Sequence, residues 1–380
     1  MNTENVFHEG LEDIIAAESS ICLIDGKNST LAYRGYDIHE LTEKSTFEET
    51  GYLLLVGKLP VARELDGLKS QIAAERSLPD GVVQLLSTFP REAHPMAVLR
   101  SAVSVLAFFD PESEDKSVEA NFRKAIKLIA KVPTVVAYFE RMRRGLDLVA
   151  PKKDPSWSDA KNFLYMLRGK EGSLVENAML DKYFILLAEH DLNASTFAAR
   201  IAASTTSDIY SAVASAVGTL KGDLHGSANT RTMESLLKIG DVSRVDAFLA
   251  DALLNKQKIM GFGHRIYKGP DPRAKDLKAM AKALAESNPS QAKWFAISEK
   301  LEQAVWEKKK LNCNVDFYSA SVLYILGIPV DFFTTLFAIS RMAGWTAHVL
   351  EQYAHNRLIR PVSLYTGSAS RAYTPIQDRA

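Results

Sequence analysis

Residues 331–354 read DFFTTLFAISRMAGWTAHVLEQYA, an apolar run at helical spacing with a single arginine, Arg341, inside it. A helix that is apolar on nearly all sides belongs in a core. Burying a guanidinium without an anion costs roughly several kcal/mol, so Arg341 needs a partner. That partner is either a structural carboxylate or the carboxylate of a bound molecule, and the local pattern leaves both open.

The same character recurs at residues 194–220, which are rich in Ala, Ser and Thr and read as a buried, closely packed helix. Residues 121–145 alternate apolar and basic positions at helical spacing, with Pro133 marking a kink or break. Residues 246–258, 274–287 and 293–309 are amphipathic and charged, as expected of exposed helices. Residues 19–35, SSICLIDGKNSTLAYRG, differ: two short β-prone runs flank Gly26-Lys27-Asn28-Ser29, a hairpin signal. Almost everything after the hairpin reads as helix.

The chain has 380 residues, enough for one large domain or two linked ones. Hydrophobic residues at 47% and charged residues at 24% match a soluble globular protein. Lys+Arg and Asp+Glu both number 46, and no basic patch stands out. That balance argues against a nucleic-acid or anionic-membrane binder and permits oligomers. No apolar run is long enough to span a bilayer. The N-terminus, MNTENVFHEGLEDII, carries acids where a secretory signal or transit peptide carries bases, so a cytoplasmic location is expected. Cys22 and Cys313 supply neither a disulfide framework nor metal-ligand spacing, and both are read as reduced thiols. Composition turns from small and apolar to mixed and charged near Gly222 and back near Gly327. This predicts a small domain at 223–327 inserted in a large helical domain formed by 1–222 and 328–380, with loops at 221–230, 261–273 and 312–317.

Three of the eight histidines sit in unusual settings: His190 before the Ala-rich stretch, His225 in Gly222-Asp223-Leu224-His225-Gly226, and His264 in Gly261-Phe262-Gly263-His264-Arg265. Flanking glycines let the backbone turn sharply and approach a ligand. Taken alone, each histidine is as compatible with a structural role as with a functional one. His8, His39, His94, His348 and His355 keep the structural reading. Asp316, in Asn314-Val315-Asp316-Phe317-Tyr318-Ser319, opens an apolar stretch. It suits a helix N-cap, which the local pattern favours, or a general base in an apolar pocket. Arg273 and Arg360 lie beside prolines, and arginine is suited to bidentate carboxylate recognition. There is no GxxxxGK[ST] loop, no strand–GxGxxG–helix unit, no HExxH and no GxSxG.

Taken in order, these segments resemble the citrate synthase family from about residue 10 to residue 367. The set comprises Arg34-Gly35-Tyr36-Asp37-Ile38, Gly57-Lys58-Leu59-Pro60, His94-Pro95-Met96, Glu189-His190 through Asn193-Ala194-Ser195-Thr196-Phe197, and Leu224-His225-Gly226. It continues with Gly261-Phe262-Gly263-His264-Arg265-Ile266-Tyr267-Lys268, Asp271-Pro272-Arg273, Asn314-Val315-Asp316-Phe317-Tyr318-Ser319 and Ile359-Arg360-Pro361. One motif is weak; the whole set at these intervals is specific, and its length is that of the compact prokaryotic form.

The resemblance implies an all-α citrate synthase fold whose small domain closes over the substrates. It implies condensation of acetyl-CoA with oxaloacetate and hydrolysis of citryl-CoA, the entry to the tricarboxylic acid cycle. The matching positions make Asp316 the base for the acetyl methyl group and His225 the donor to the thioester oxygen. His264 polarises and protonates the oxaloacetate carbonyl, and His190 binds oxaloacetate. Arg273 and Arg341 are carboxylate clamps, and Arg360 is donated across a homodimer. Lys268 contacts coenzyme A phosphates, and Ile259, Met260, Gly261, Phe262 and Gly263 match the adenine-binding segment. No metal and no cofactor are implied, coenzyme A thioester being a substrate.

The family typically reads Gly-Pro-Leu-His-Gly-Gly-Ala-Asn-Glu around the first catalytic histidine. Here Asp223, Ser227 and Thr230 replace the proline, the second glycine and the glutamate. Asp223 either raises the pKa of His225 or points into solvent. Two rival readings are a 2-methylcitrate synthase using propionyl-CoA and a non-catalytic relative that binds coenzyme A or acts as a scaffold. Retention of Asp316, His225, His264 and the arginines speaks against the second.

Overall fold

The computed structural model describes residues 7–380. Among them the chain forms sixteen α-helices and one small antiparallel sheet. The sheet is the expected hairpin, β1 (Cys22–Asp25) and β2 (Thr30–Tyr33), extended by β3 (Tyr36–Asp37). Asp25 makes the turn, its carboxylate accepting from the backbone N–H groups of Lys27 and Asn28, both at 2.9 Å. The first half continues with α1 (Ile38–Lys44), α2 (Phe47–Val56), α3 (Ala62–Glu75), α4 (Asp80–Thr88), α5 (Pro95–Leu106) and α6 (Val118–Arg143). Then come α7 (Asp159–Arg168), α8 (Leu174–Leu187), α9 (Ala194–Ser204) and α10 (Ile209–Leu220). The second half holds α11 (Ala228–Ile239), α12 (Val245–Leu254), α13 (Pro272–Ser287), α14 (Ala292–Lys309), α15 (Val315–Ile325) and α16 (Phe333–Ala354).

Helix α16 is the core element its composition predicts. It packs against α2, α6, α8, α9 and α10, and Trp345 at its centre is fully buried. Two expectations are corrected. Residues 194–220 form two packed helices rather than one, because Asp208 caps a fresh start, its side chain accepting from Ser211 N at 2.9 Å. And α6 runs unbroken through Pro133, which is buried with its neighbours Val132 and Thr134. The N–H that proline removes is offset by packing against α3, α7 and α16.

Helices α11 to α15 pack on one another, and α13 also rests on α8 and α1. The site residues lie along the seam between these helices and α8, α9 and α16. Tyr33 of the hairpin braces that seam. Its buried hydroxyl lies 2.9 Å from the Glu189 carbonyl and 3.2 Å from those of Ile185 and Leu186, at the end of α8.

Candidate active site

Two loops are stitched together at the seam. The Asn314 amide N–H donates to Gly261 O at 2.9 Å, Gly263 N to Asn312 O at 2.9 Å, and Asn314 Nδ2 to Gly263 O at 2.8 Å. Gly261 has φ +83°, and a β-carbon there would lie 2.9–3.0 Å from Phe317, so only glycine lets the two loops meet. This places His264 beside the start of α15. The N-cap of α15 is Asn314, whose Oδ1 accepts from Asp316 N at 3.0 Å. Asp316 is therefore not the cap that the local pattern favours. It sits on the first turn, half-buried, and its carboxylate accepts no hydrogen bond among the described residues.

The two loop histidines are set as donors by their surroundings. His264 Nδ1 accepts from the backbone N–H of Ile266 at 3.0 Å and of Tyr267 at 3.2 Å. The ring proton of the neutral form is thereby assigned to Nε2. His225 Nε2 receives the Ser195 backbone N–H at 3.3 Å and lies 2.8 Å from Ser195 Oγ, which assigns its proton to Nδ1. Trp345 Nε1 donates to the same Ser195 oxygen at 3.2 Å, so α16 and the start of α9 together fix this ring.

His190, His264 and Tyr267 form a ring cluster. The His190–His264 centroids are 5.6 Å apart, and His190 Nε2 lies 3.1 Å from Tyr267 Oη. Behind them stands Arg273, paired in bidentate fashion with Asp271: Nε to Oδ1 at 3.0 Å and Nη2 to Oδ2 at 2.9 Å. Asp271 Oδ2 also accepts from Val315 N at 3.0 Å, tying this pair to the helix that carries Asp316. Arg273 thus has a structural carboxylate, and only Nη1 remains without a hydrogen bond among the described residues. Arg341 is 1% exposed and has no carboxylate partner there. Its Nε donates to Leu187 O at 2.7 Å and its guanidinium stacks on Phe337, leaving its terminal nitrogens unpaired.

Burial pushes the Asp316 carboxyl up to about 7, against the pull of Arg273 and Arg341. Burial, with Arg341, pushes His225 down to about 4, and burial with Arg273 lowers His264. His190 is held well below its usual value by burial and then by both arginines. At neutral pH the three rings are uncharged and the Asp316 carboxyl is poised to exchange a proton, each group feeling Arg273, Arg341 or both. Asp223 does not disturb His225: its carboxylate pairs with Arg231 at 2.7 Å and is 74% exposed.

Arg360 is not with the others. It is exposed and makes no hydrogen bond or ion pair among the described residues. Lys268 is also exposed, its backbone N–H donating to Gly26 O at 2.9 Å. Ile259, Met260 and Gly263 are half-buried and Gly261 and Phe262 buried, on the loop that ends at His264. Cys313, three residues before Asp316, is a free thiol whose pKa burial raises, the reverse of a reactive cysteine. No group of three or more His, Cys, Asp or Glu among the described residues has metal-binding geometry. No helix there is long and apolar enough to cross a membrane. Sequence reasoning missed Ser195, Trp345, Tyr267 and Asp271 as site residues; of these only Ser195 and Asp271 carried a local signal, as positions just inside and just before helix starts.

A nearly all-helical chain with neutral histidines, a raised carboxyl and two buried arginines has the equipment of an acyltransferase that forms carbon–carbon bonds. The chain belongs to the citrate synthase family: residues 10–362 match the family model described as citrate synthase, C-terminal domain. It is 49% identical to citrate synthase 2 of Bacillus subtilis over 98% of this chain and 99% of that one. It is 41% identical to 2-methylcitrate synthase 2 of Corynebacterium glutamicum over 98% and 97%. The solved ternary complex of carboxymethyl coenzyme A and oxaloacetate with the Thermoplasma acidophilum citrate synthase superposes with a TM-score of 0.91. That structure is 33% identical and covers 98% of this chain and 99% of its own.

Proposed function

We propose that this chain is a citrate synthase, condensing acetyl-CoA with oxaloacetate and hydrolysing citryl-CoA to citrate and coenzyme A, as at the entry to the tricarboxylic acid cycle. The observation that carries this is the Asp316 carboxyl, raised to about 7 and accepting no hydrogen bond among the described residues. A thioester methyl group is a weak acid, and a carboxylate removes its proton only where the developing enolate oxygen is stabilised at once.

Asp316 takes a proton from the acetyl methyl, and the electron pair moves onto the thioester oxygen, which receives a hydrogen bond from His225 Nδ1–H. The enol carbon attacks the keto carbon of oxaloacetate, and His264 Nε2 gives its proton to the keto oxygen as the bond forms. Water then cleaves the thioester carbon–sulfur bond. Arg341, the free nitrogen of Arg273 and His190 hold the carboxylates, converting an encounter into a reaction of aligned neighbours. Lys268 and residues 259–263 take the coenzyme A phosphates and adenine. Residues 223–327 act as the small domain that closes and excludes water. The chemistry calls for no metal or further cofactor.

The working unit is a homodimer in which Arg360 serves the neighbouring chain's site. Support comes from the exposed segment after α16, where Leu358, Val362, Leu364 and Tyr365 are 56–81% exposed, more apolar surface than a short tail leaves to water. Two free thiols fit a cytoplasmic setting.

The identity to 2-methylcitrate synthases keeps propionyl-CoA as a second reading, since one methylene is worth only about 1–3 kcal/mol of discrimination. Thiol release from acetyl-CoA and from propionyl-CoA, each with and without oxaloacetate, separates them. Oxaloacetate-dependent release favouring acetyl-CoA is expected; preference for propionyl-CoA moves the assignment, and release from neither overturns it.

A further inference from the structure

Two buried polar groups, on α8 and α11, are not used by the reaction above. Tyr183 on α8 and Asn229 on α11 are both 0% exposed. Among the described residues, neither the Tyr183 hydroxyl nor the Asn229 Nδ2 amide completes a hydrogen bond of normal geometry. The Asn229 side chain is close enough to act on the Tyr183 hydroxyl, yet the pair falls short of a normal bond. Asn229 Oδ1 is used locally, accepting from Thr230 N at 2.7 Å. The charge of Asp316 reaches Tyr183, which its burial, and then that charge, keep protonated and so able to donate. Three helices therefore converge here. Helices α11 and α15 pack together, and α8 approaches from the far side of the seam, in contact with α13.

Buried donors without partners are rare, because each forfeits its hydrogen bonds to water with no return. Two of them, one close enough to Asp316 to feel its charge and the other on a helix packed against α15, point to a use. A carboxylate that gains donors is held in its charged form, the form a general base needs. A phenol and an amide serve that purpose without adding a charge that would compete with Arg273 and Arg341 for substrate carboxylates.

We propose that Tyr183 and Asn229 are positioning residues that supply hydrogen bonds to the Asp316 carboxylate when the seam closes on substrate. This rests on Asp316 being the base, as assigned above. The contact spans the seam: Tyr183 comes from α8, whereas Asn229 and Asp316 come from helices within 223–327. Closure that brings α8 toward α11 and α15 completes the bonds, and opening leaves them unmade.

The test is Tyr183→Phe, which removes one oxygen and keeps the ring. The expected result is a roughly tenfold fall in kcat at pH 7. The acid limb of the kcat profile, read at saturating acetyl-CoA and oxaloacetate, should move up by about one pH unit, as the loss of a donor to the anion in the closed state requires. The melting temperature of the free protein should not fall, since the deleted hydroxyl has no partner there, while the added stabilisation by oxaloacetate should shrink. Asn229→Ala, on a different helix, is expected to move the same limb in the same direction and carries the test if the phenylalanine variant does not fold. A wild-type rate and an unmoved limb in the folded variant overturn the proposal. So does a fall in kcat with an unmoved limb, which marks a packing effect. Wild-type protein that releases no thiol overturns the assignment of Asp316 itself, a separate failure.

Discussion

The wall behind His190 and the wall around Asp316 are built differently. Next to His190, Glu189 Oε1 accepts from His348 Nε2 at 3.0 Å, and His348 Nδ1 accepts from Arg200 Nη1 at 2.9 Å. Arg200 in turn pairs with Glu351 at 2.7 Å, and Glu351 accepts from Ser20 N at 2.9 Å. Charges there are tied in a chain that runs from the site to the start of the hairpin, and the Glu351 carboxyl sits at about 2 although its burial opposes this. By contrast, the Asp316 carboxylate, the Tyr183 hydroxyl and the Asn229 Nδ2 amide are left unpaired among the described residues. Behind His190 most of the polar groups are paired, Glu189 Oε2 excepted, whereas the groups near the proposed base are kept in reserve. A group already bonded to protein is a poor base, so the difference suits the two tasks proposed above.

Four experiments break or sharpen this contrast. The largest effect is expected from Asp316→Ala, a loss of at least ~10²-fold in kcat with the fold retained by circular dichroism. Near-normal turnover would end the distinction between the walls. Next is the pH dependence of stability. The folded protein binds the Asp316 proton up to about pH 7, whereas an unfolded aspartate releases it near pH 3.9. Asp316 thus lowers stability as pH rises across that window, by roughly 2–4 kcal/mol at most. Asp316→Asn should melt higher than wild type at pH 8, with the gap closing toward pH 4, and a gap independent of pH would contradict the raised carboxyl. Third, Arg360→Ala should raise the KM for oxaloacetate ~10-fold or more and change the KM for acetyl-CoA much less. Equal changes argue against a carboxylate clamp. Smallest is Gly344→Ala. A β-carbon there would strike Ala188 O and Glu189 Oε2, so about 1–3 kcal/mol of stability should be lost in chemical denaturation. An unchanged midpoint would mean that the paired wall yields easily.

Much of the helical architecture was legible because burial leaves a long compositional trace. The run at 331–354 reads as a core helix, and Arg341 as the anomaly in it, without any neighbour being known. The turn at Gly26–Ser29 was equally plain, since Asp25 and Asn28 act locally. What was not legible depends on distant partners or on fine competition between neighbours. Asn314 and Asp316 both suit a helix cap, and only the bonds from Asn314 to Gly261 and Gly263 decide between them. The break after Ser204 hides in a stretch of small residues, where Asp208 outweighs the continuity of composition. Asp271 as the partner of Arg273 was available two positions away, yet proline between them suggested rigidity rather than pairing. Tyr183 lies 133 residues before Asp316 in the chain, and no local pattern marks an aromatic residue inside a core helix as a donor to a base.

The claim at the centre is that one poorly solvated, unpaired carboxyl starts the reaction. Release of free coenzyme A from acetyl-CoA, followed with and without oxaloacetate for wild type and Asp316→Ala together, tests it most directly. The account predicts fast, oxaloacetate-dependent release by wild type and at least ~10²-fold less by the variant. Comparable release by both proteins, or release that does not need oxaloacetate, would contradict it.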